Sequence, residues 1–176
     1  IIVMKKLIYL CMAILCMTFA SCEKDEVGGT ATQALAGEWY VTVDAVDANN
    51  NVTALDPFGM GKFLVNTFNT AANVSDQMWI SDNGNFWNFK VRMTSDVQNL
   101  SFTTNGEAAN AAYNKDGSLY DCKVNVEGGK VLPGQGLTPH GTPADSIVFY
   151  VSFNDDEPGN KYKVSGIRYS GLTQDD

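Results

Sequence analysis

Hydrolytic chemistry needs a nucleophile and a base that works near neutral pH, most often a histidine. This chain has one histidine. His140 stands in Leu137-Thr138-Pro139-His140-Gly141-Thr142-Pro143, a loop bracketed by proline and glycine. Cys122 is the nucleophile it would have to meet. In Tyr120 to Val126, however, Asp121, Lys123 and Asn125 alternate against Cys122, Val124 and Val126, which places the sulfur with the valines on an apolar face. A buried, unreactive thiol follows. The chain has no GxSxG string, so it lacks the nucleophile elbow of the α/β-hydrolases, and it has no HExxH for zinc. Oxygen ligands remain for a metal. Asp47, Asn49 and Asn51 alternate like the start of a calcium loop but lack its later glycine and glutamate. Asp155, Asp156 and Glu157 read as a solvated hairpin tip. No catalytic residue, metal or cofactor is assigned.

A different chemistry is written at the N-terminus. Met4, Lys5 and Lys6 precede an apolar run from Leu7 to Phe19, the plan of a signal peptide too short for a comfortable membrane span. The run closes on Phe19-Ala20-Ser21-Cys22, which resembles a lipobox, where small residues precede a cysteine that is acylated and becomes the new N-terminus. Residues 1–21 are therefore expected to be removed and Cys22 to carry the membrane anchor. Residues 22–36 are polar and small, a flexible tether. Its Lys24-Asp25-Glu26 resembles the signal that sends Bacteroidetes lipoproteins to the outer face of the outer membrane. Cys11 and Cys16 leave with the signal segment, so Cys122 has no intrachain partner and no disulfide framework exists. The net charge of −8 disfavours binding to nucleic acid or to anionic headgroups through a basic patch.

The remaining 37–176 must form the folded domain. Its pattern has period two: Trp39, Val41 and Val43 alternate with Tyr40 and Thr42, and Trp87, Phe89, Val91 and Met93 alternate with Asn88, Lys90 and Arg92. Further strands are expected at Phe63–Phe68, Gln77–Ser81, Leu100–Thr103, Tyr120–Val126, Lys130–Leu132, Ser146–Phe153 and Tyr162–Tyr169. Turn signals separate them: Asp82-Asn83-Gly84, Asn105-Gly106, Asp116-Gly117, Gly128-Gly129 and Pro158-Gly159-Asn160. Ala71–Val74 and Glu107–Tyr113 could form helical turns. The fold class is all-β and antiparallel, either a closed barrel of about eight strands or a β-sandwich. Closure favours the barrel, because it removes the edges that strands such as Ile147–Phe153 would expose. Gly166 could mark a bend at a barrel corner.

The strings AGEWYVTV, VNTFNTA, QMWISD, NFWNFKV, DSIVFYVSFNDD and YKVSGIRYSG, in that order, resemble the Bacteroidetes family described as "lipid-binding putative hydrolases". The resemblance covers nearly all of the domain. It implies a lipocalin-like, calycin-type β-barrel lipoprotein with a lipid-like ligand, and no catalytic motif transfers with it. A barrel of this size either holds one small ligand or is filled by its own side chains. If it is hollow, the inward aromatics Trp39, Trp87, Phe89 and Phe149 line the cavity. The expected function is binding of an apolar or amphipathic small molecule, with a hydrolase of unrecognised site or an interaction subunit of a surface complex as alternatives.

Overall fold

The computed structural model describes residues 28–171. The signal segment, Cys22 and the first part of the tether lie outside the described residues.

Ten strands run through the domain: β1 (Gly37–Val46), β2 (Val52–Leu55), β3 (Phe63–Asn69), β4 (Gln77–Ser81), β5 (Lys90–Asp96), β6 (Ser101–Thr103), β7 (Ala108–Ala109), β8 (Lys123–Leu137), β9 (Pro143–Phe153) and β10 (Lys161–Arg168). Eight of them form a closed antiparallel barrel in the order β1-β3-β4-β5-β6-β8-β9-β10, and β10 returns to pair with β1 along Trp39–Val46. The two extra strands are appended: β2 pairs with the far half of β1, and β7 with the start of β8. Closure pairs the edges that long apolar strands would otherwise leave open to aggregation.

Alternation decides which side chains go inside. From β1, Trp39, Val41 and Val43 are buried; from β9, Ile147, Phe149, Val151 and Phe153; from β10, Tyr162 and Val164. These join Met78, Ile80, Val91, Met93, Phe102, Val124 and Val126 in one contiguous core. Burying each large side chain contributes about 1.5–3 kcal/mol. Trp39 and Phe149 expose 0% of their surface and Phe89 1%. A ligand-sized void beside them would itself leave accessible surface, so the barrel is filled where these rings stand.

Three local expectations change. Gly128-Gly129 is not a turn but a bulge inside a single long β8, where the register against β9 shifts between Glu127 and Lys130. Gly128 has φ +62°, and a Cβ on Gly129 would fall 2.2 Å from the Phe102 ring, so the ring occupies the space that a side chain would need. Glu107–Tyr113 is extended and supplies β7 rather than a helical turn. The boundary placed at residue 36 moves back to about Thr30: Thr30–Leu35 forms consecutive turns, and Leu35 is fully buried under the barrel.

Gly166 produces no register shift. It lies where β10 crosses β1, and a Cβ there would sit 2.0 Å from the Tyr40 carbonyl oxygen, so close backbone approach requires the glycine.

Candidate aromatic mouth of the barrel

The barrel has two unlike ends. At the first, the Thr30–Leu35 turn closes the opening. Trp39 Nε1 donates to Thr67 Oγ1 at 2.8 Å, and that hydroxyl donates to the Leu35 carbonyl at 2.7 Å, so the indole and the cap share one buried chain of hydrogen bonds. Arg168 covers the same indole, 4.4 Å from its centroid.

The second end is the mouth, where the β1–β2, β4–β5 and β9–β10 connections meet the Tyr113–Cys122 segment. Its shape is set by Asp82. This carboxylate is fully buried and accepts backbone N–H groups from Gly84, Phe86, Trp87, Asn88 and Phe89 at 2.7–2.9 Å. Residues 83–89 therefore wrap around one side chain in place of a sheet ladder. Asn83 and Asn88 take positive φ (55° and 53°), which asparagine tolerates better than most residues. Trp87 and Phe89, expected on a strand, lie in this loop, and β5 begins only at Lys90.

The loop points Phe86 and Trp87 over the barrel end. Trp87 stacks on Phe153 with centroids 4.6 Å apart and an interplanar angle of 7°. Phe86 meets Phe153 and Tyr162 edge-on at 5.8 and 5.4 Å. Phe58 joins from the segment after β2, within 5.4–6.2 Å of Phe86, Trp87 and Tyr162, and leaves 47% of its surface in solvent. Asp56 holds that segment by accepting the N–H groups of Met60 and Gly61. The mouth is an aromatic plug with one ring half outside.

Polar groups border the plug. Asp155 Oδ1 accepts from Trp87 Nε1 at 3.0 Å and from the Cys122 thiol at 3.1 Å, while Oδ2 accepts a short hydrogen bond from the Tyr120 hydroxyl. Burial works against the Asp155 charge, but these three donors outweigh it and hold the carboxyl below its ordinary pKa. Its neighbours respond in the opposite sense. Burial, then the hydrogen bond and charge of Asp155, pushes the Cys122 thiol up to about 12. The hydrogen bond to Asp155, then burial, does the same for Tyr120, again to about 12. Tyr162 is raised by burial and by its 2.7 Å hydrogen bond to Asp156.

This constellation holds protons rather than releasing them. Cys122, buried just ahead of β8, is a protonated donor and not a thiolate. His140 is exposed in the turn beyond the far end of β8, so the strand separates thiol and imidazole and they form no dyad. Asp47 spends its carboxylate on Asn49 and Asn51 within its own hairpin, and no group of metal-ligating side chains occurs among the described residues. Of the aromatic residues expected to contact a ligand, Trp87 reaches the mouth; Trp39, Phe89 and Phe149 stand below the plug. Phe58, Phe86, Asp82 and Tyr120 were not singled out from sequence. Only the Asp82-Asn83-Gly84 turn signal pointed toward them.

A solved Bacteroides ovatus structure, described as of unknown function, is similar over 76% of this chain at 14% identity and a TM-score of 0.43. The alignment spans 41% of that protein's length. No curated protein matches. The family profile described as "lipid-binding putative hydrolase" matches residues 24–173, nearly the whole chain, and on that match, together with the closed eight-stranded barrel, the chain belongs to this family.

Proposed function

We propose that the protein binds an apolar or neutral-headed amphipathic molecule at the aromatic mouth. The observation that carries this is Phe58, a phenyl ring left 47% exposed on a cluster with Phe86, Trp87, Phe153 and Tyr162. Apolar matter laid on it gains about 25 cal/mol per Å² removed from water. The Asp155 and Asp156 carboxylates at the rim accept hydrogen bonds and repel anions, so a hydroxylated head fits and a carboxylate does not. Because the rings below the plug have no accessible surface, a deeper site for Trp39, Phe89 and Phe149 requires the plug to move. The lipid-binding description of the family supports the reading.

Titration with monododecanoylglycerol, followed by tryptophan emission, tests it. Saturable binding at micromolar levels is expected, weakened about tenfold or more by Trp87→Ala and Phe58→Ala, measured below the unfolding transition because aromatic truncations also destabilise. Absence of saturable binding to this probe, sterols and glycolipids would overturn it. The filled barrel favours a second reading in that event, an interaction subunit that uses the mouth as a protein contact.

The same proposal places the domain on a membrane through an acylated Cys22. The described chain enters the barrel at the capped end, so an anchor there leaves the mouth on the side away from its attachment. Outer-membrane attachment, facing the cell surface or the periplasm, follows from the sequence at residues 19–26. Labelled palmitate should enter the wild type and not Cys22→Ser in a host that processes lipoproteins.

A further inference from the structure

Strands β8 and β9 outrun the barrel. Pairing of β10 with β9 stops at Ser146, but β8 and β9 continue to the pair Leu137–Pro143 and close in a turn where Thr138 N–H donates to the Thr142 carbonyl. This arm does not stand free. A register shift between Leu132 and Gly136 bends it, and Gly136 is buried with the Ile167 Cγ2 only 2.6 Å from where a Cβ would be. The arm therefore rests on the outer face of β10. Asp145, accepting from Arg168 Nε at 3.1 Å and from Gly134 N–H at 3.0 Å, fixes it there.

Between the arm and the barrel wall runs a groove of about 310 Å³, lined by Leu137 and Pro139 on one side and by Tyr40, Gly166 and Ile167 on the other, with Lys62 above. The volume lies at the small end of ligand sites, about 300–1,000 Å³. Leu137 leaves 66% of its surface exposed at the groove. The Lys62 ammonium lies 5.5 Å from the Tyr40 ring centroid, and no ion pair among the described residues involves it. On a chain of net charge −8, the groove is lined by no carboxylate, and Lys62 is the one charged residue among its lining residues.

We infer that this groove is a second ligand site, separate from the mouth, for a free single-chain aliphatic carboxylate. Its tail lies against Leu137, Pro139 and Ile167, and its head pairs with Lys62. Charge decides between this and a neutral amphiphile: the mouth carries carboxylates, the groove a cation. Size decides against a bilayer lipid, whose two chains exceed the trough.

Calorimetric titration of the full chain with dodecanoate tests the assignment, with dodecanol as the neutral probe. Because the mouth also accepts neutral amphiphiles, the two probes are compared in the Trp87→Ala background, where the mouth is weakened. There dodecanoate is expected to bind at least tenfold more tightly than dodecanol. Lys62→Gln should remove that preference by weakening dodecanoate alone, and Leu137→Asn should weaken both probes. Trp87→Ala, at the mouth, should leave dodecanoate binding unchanged. Lys62 and Leu137 are outward-facing, so thermal melts of those two variants should match the wild type and keep the result independent of folding. Equal affinity of Lys62→Gln and wild type for dodecanoate overturns the groove. So does binding lost in Trp87→Ala but kept in Lys62→Gln, which moves the probe to the mouth, and so does association with phosphatidylglycerol vesicles without affinity for dodecanoate.

Discussion

Arg168 lays its guanidinium over the face of Trp39, 4.4 Å from the ring centroid, while its Nε donates to Asp145 and its Nη1 to the Ala36 carbonyl at 2.8 Å. One side chain from the last strand thus joins the first strand, the capping turn and the β8–β9 arm. A cation over a desolvated indole and hydrogen bonds to a charged partner are each worth about 1–3 kcal/mol. Arg168→Ala should lower the unfolding free energy by about 2–4 kcal/mol in urea titrations. Arg168→Lys should recover less than half of the loss, since an ammonium cannot fork between Asp145 and Ala36 while lying flat on the ring. A loss below about 0.5 kcal/mol for Arg168→Ala would show that the turn closes the barrel without it.

Asp82 is the corresponding element at the mouth. Removing it leaves five backbone N–H groups without their acceptor, several of them away from water, and each buried unsatisfied donor costs about 1–3 kcal/mol. Asp82→Ala should therefore destabilise by about 3 kcal/mol or more and release residues 83–89. Trp87 would then leave its stack on Phe153, seen as a red shift of the emission that Trp87→Phe removes. Unchanged Trp87 emission in a folded Asp82→Ala protein would show that ring packing, not the carboxylate, sets the loop.

The same residue shows where periodicity stops informing on structure. Alternation at Trp39, Val41, Val43 and at Ile147, Phe149, Val151 reflects pleat and burial together, and both runs are barrel strands with those faces inward. Trp87 and Phe89 alternate just as well, yet Asp82 takes their N–H groups, so the pattern continues into a loop without meaning strand. Gly128-Gly129 carries a turn composition but serves a bulge, because Phe102 from a strand far away in sequence needs the space. Phe58 was illegible as a site residue because it sits in a connection with no period, and Phe86 because it opens the same alternating run as Trp87 on the polar face, with Asn88 and Lys90. Arg168 was illegible because its partner lies at the other end of the chain.

Cys122 should label slowly in the native protein. With its pKa raised to about 12, the thiolate fraction at pH 8 is on the order of a thousandth of that of an exposed cysteine with pKa near 8.5, before steric protection is counted. A maleimide or disulfide reagent should therefore react with native protein at least about a thousandfold more slowly than in urea. Substituting Asp155→Ala removes the acceptor and the charge but not the burial, so native labelling should accelerate only in part. Rapid native labelling, together with esterase activity lost on Cys122→Ala, would reverse the assignment of this thiol as a structural donor.

The pKa shifts at the rim also predict an asymmetric stability profile. Cys122 and Tyr120 keep their protons to about pH 12 in the folded state, whereas unfolded cysteine and tyrosine titrate near about 8.5 and 10. Between those values the folded protein binds more protons than the unfolded one, so stability falls as pH rises; this contribution is complete below about pH 8.5. Asp155 runs the other way. Its folded pKa lies below the unfolded one, so its contribution is complete above about pH 4 to 5 and is lost as pH falls through the folded value. Urea midpoints should be flat from about pH 5 to 8, then decline on both sides. Asp155→Asn withdraws the carboxylate that raises both neighbours, so its folded thiol and phenol pKa values move toward the unfolded ones. That variant should be less stable at pH 7, yet lose less between pH 8.5 and 11 than the wild type does. An alkaline decline of equal size in both proteins would mean that burial alone raises the two groups, and that Asp155 does not couple Trp87, Tyr120 and Cys122 into one proton-holding rim.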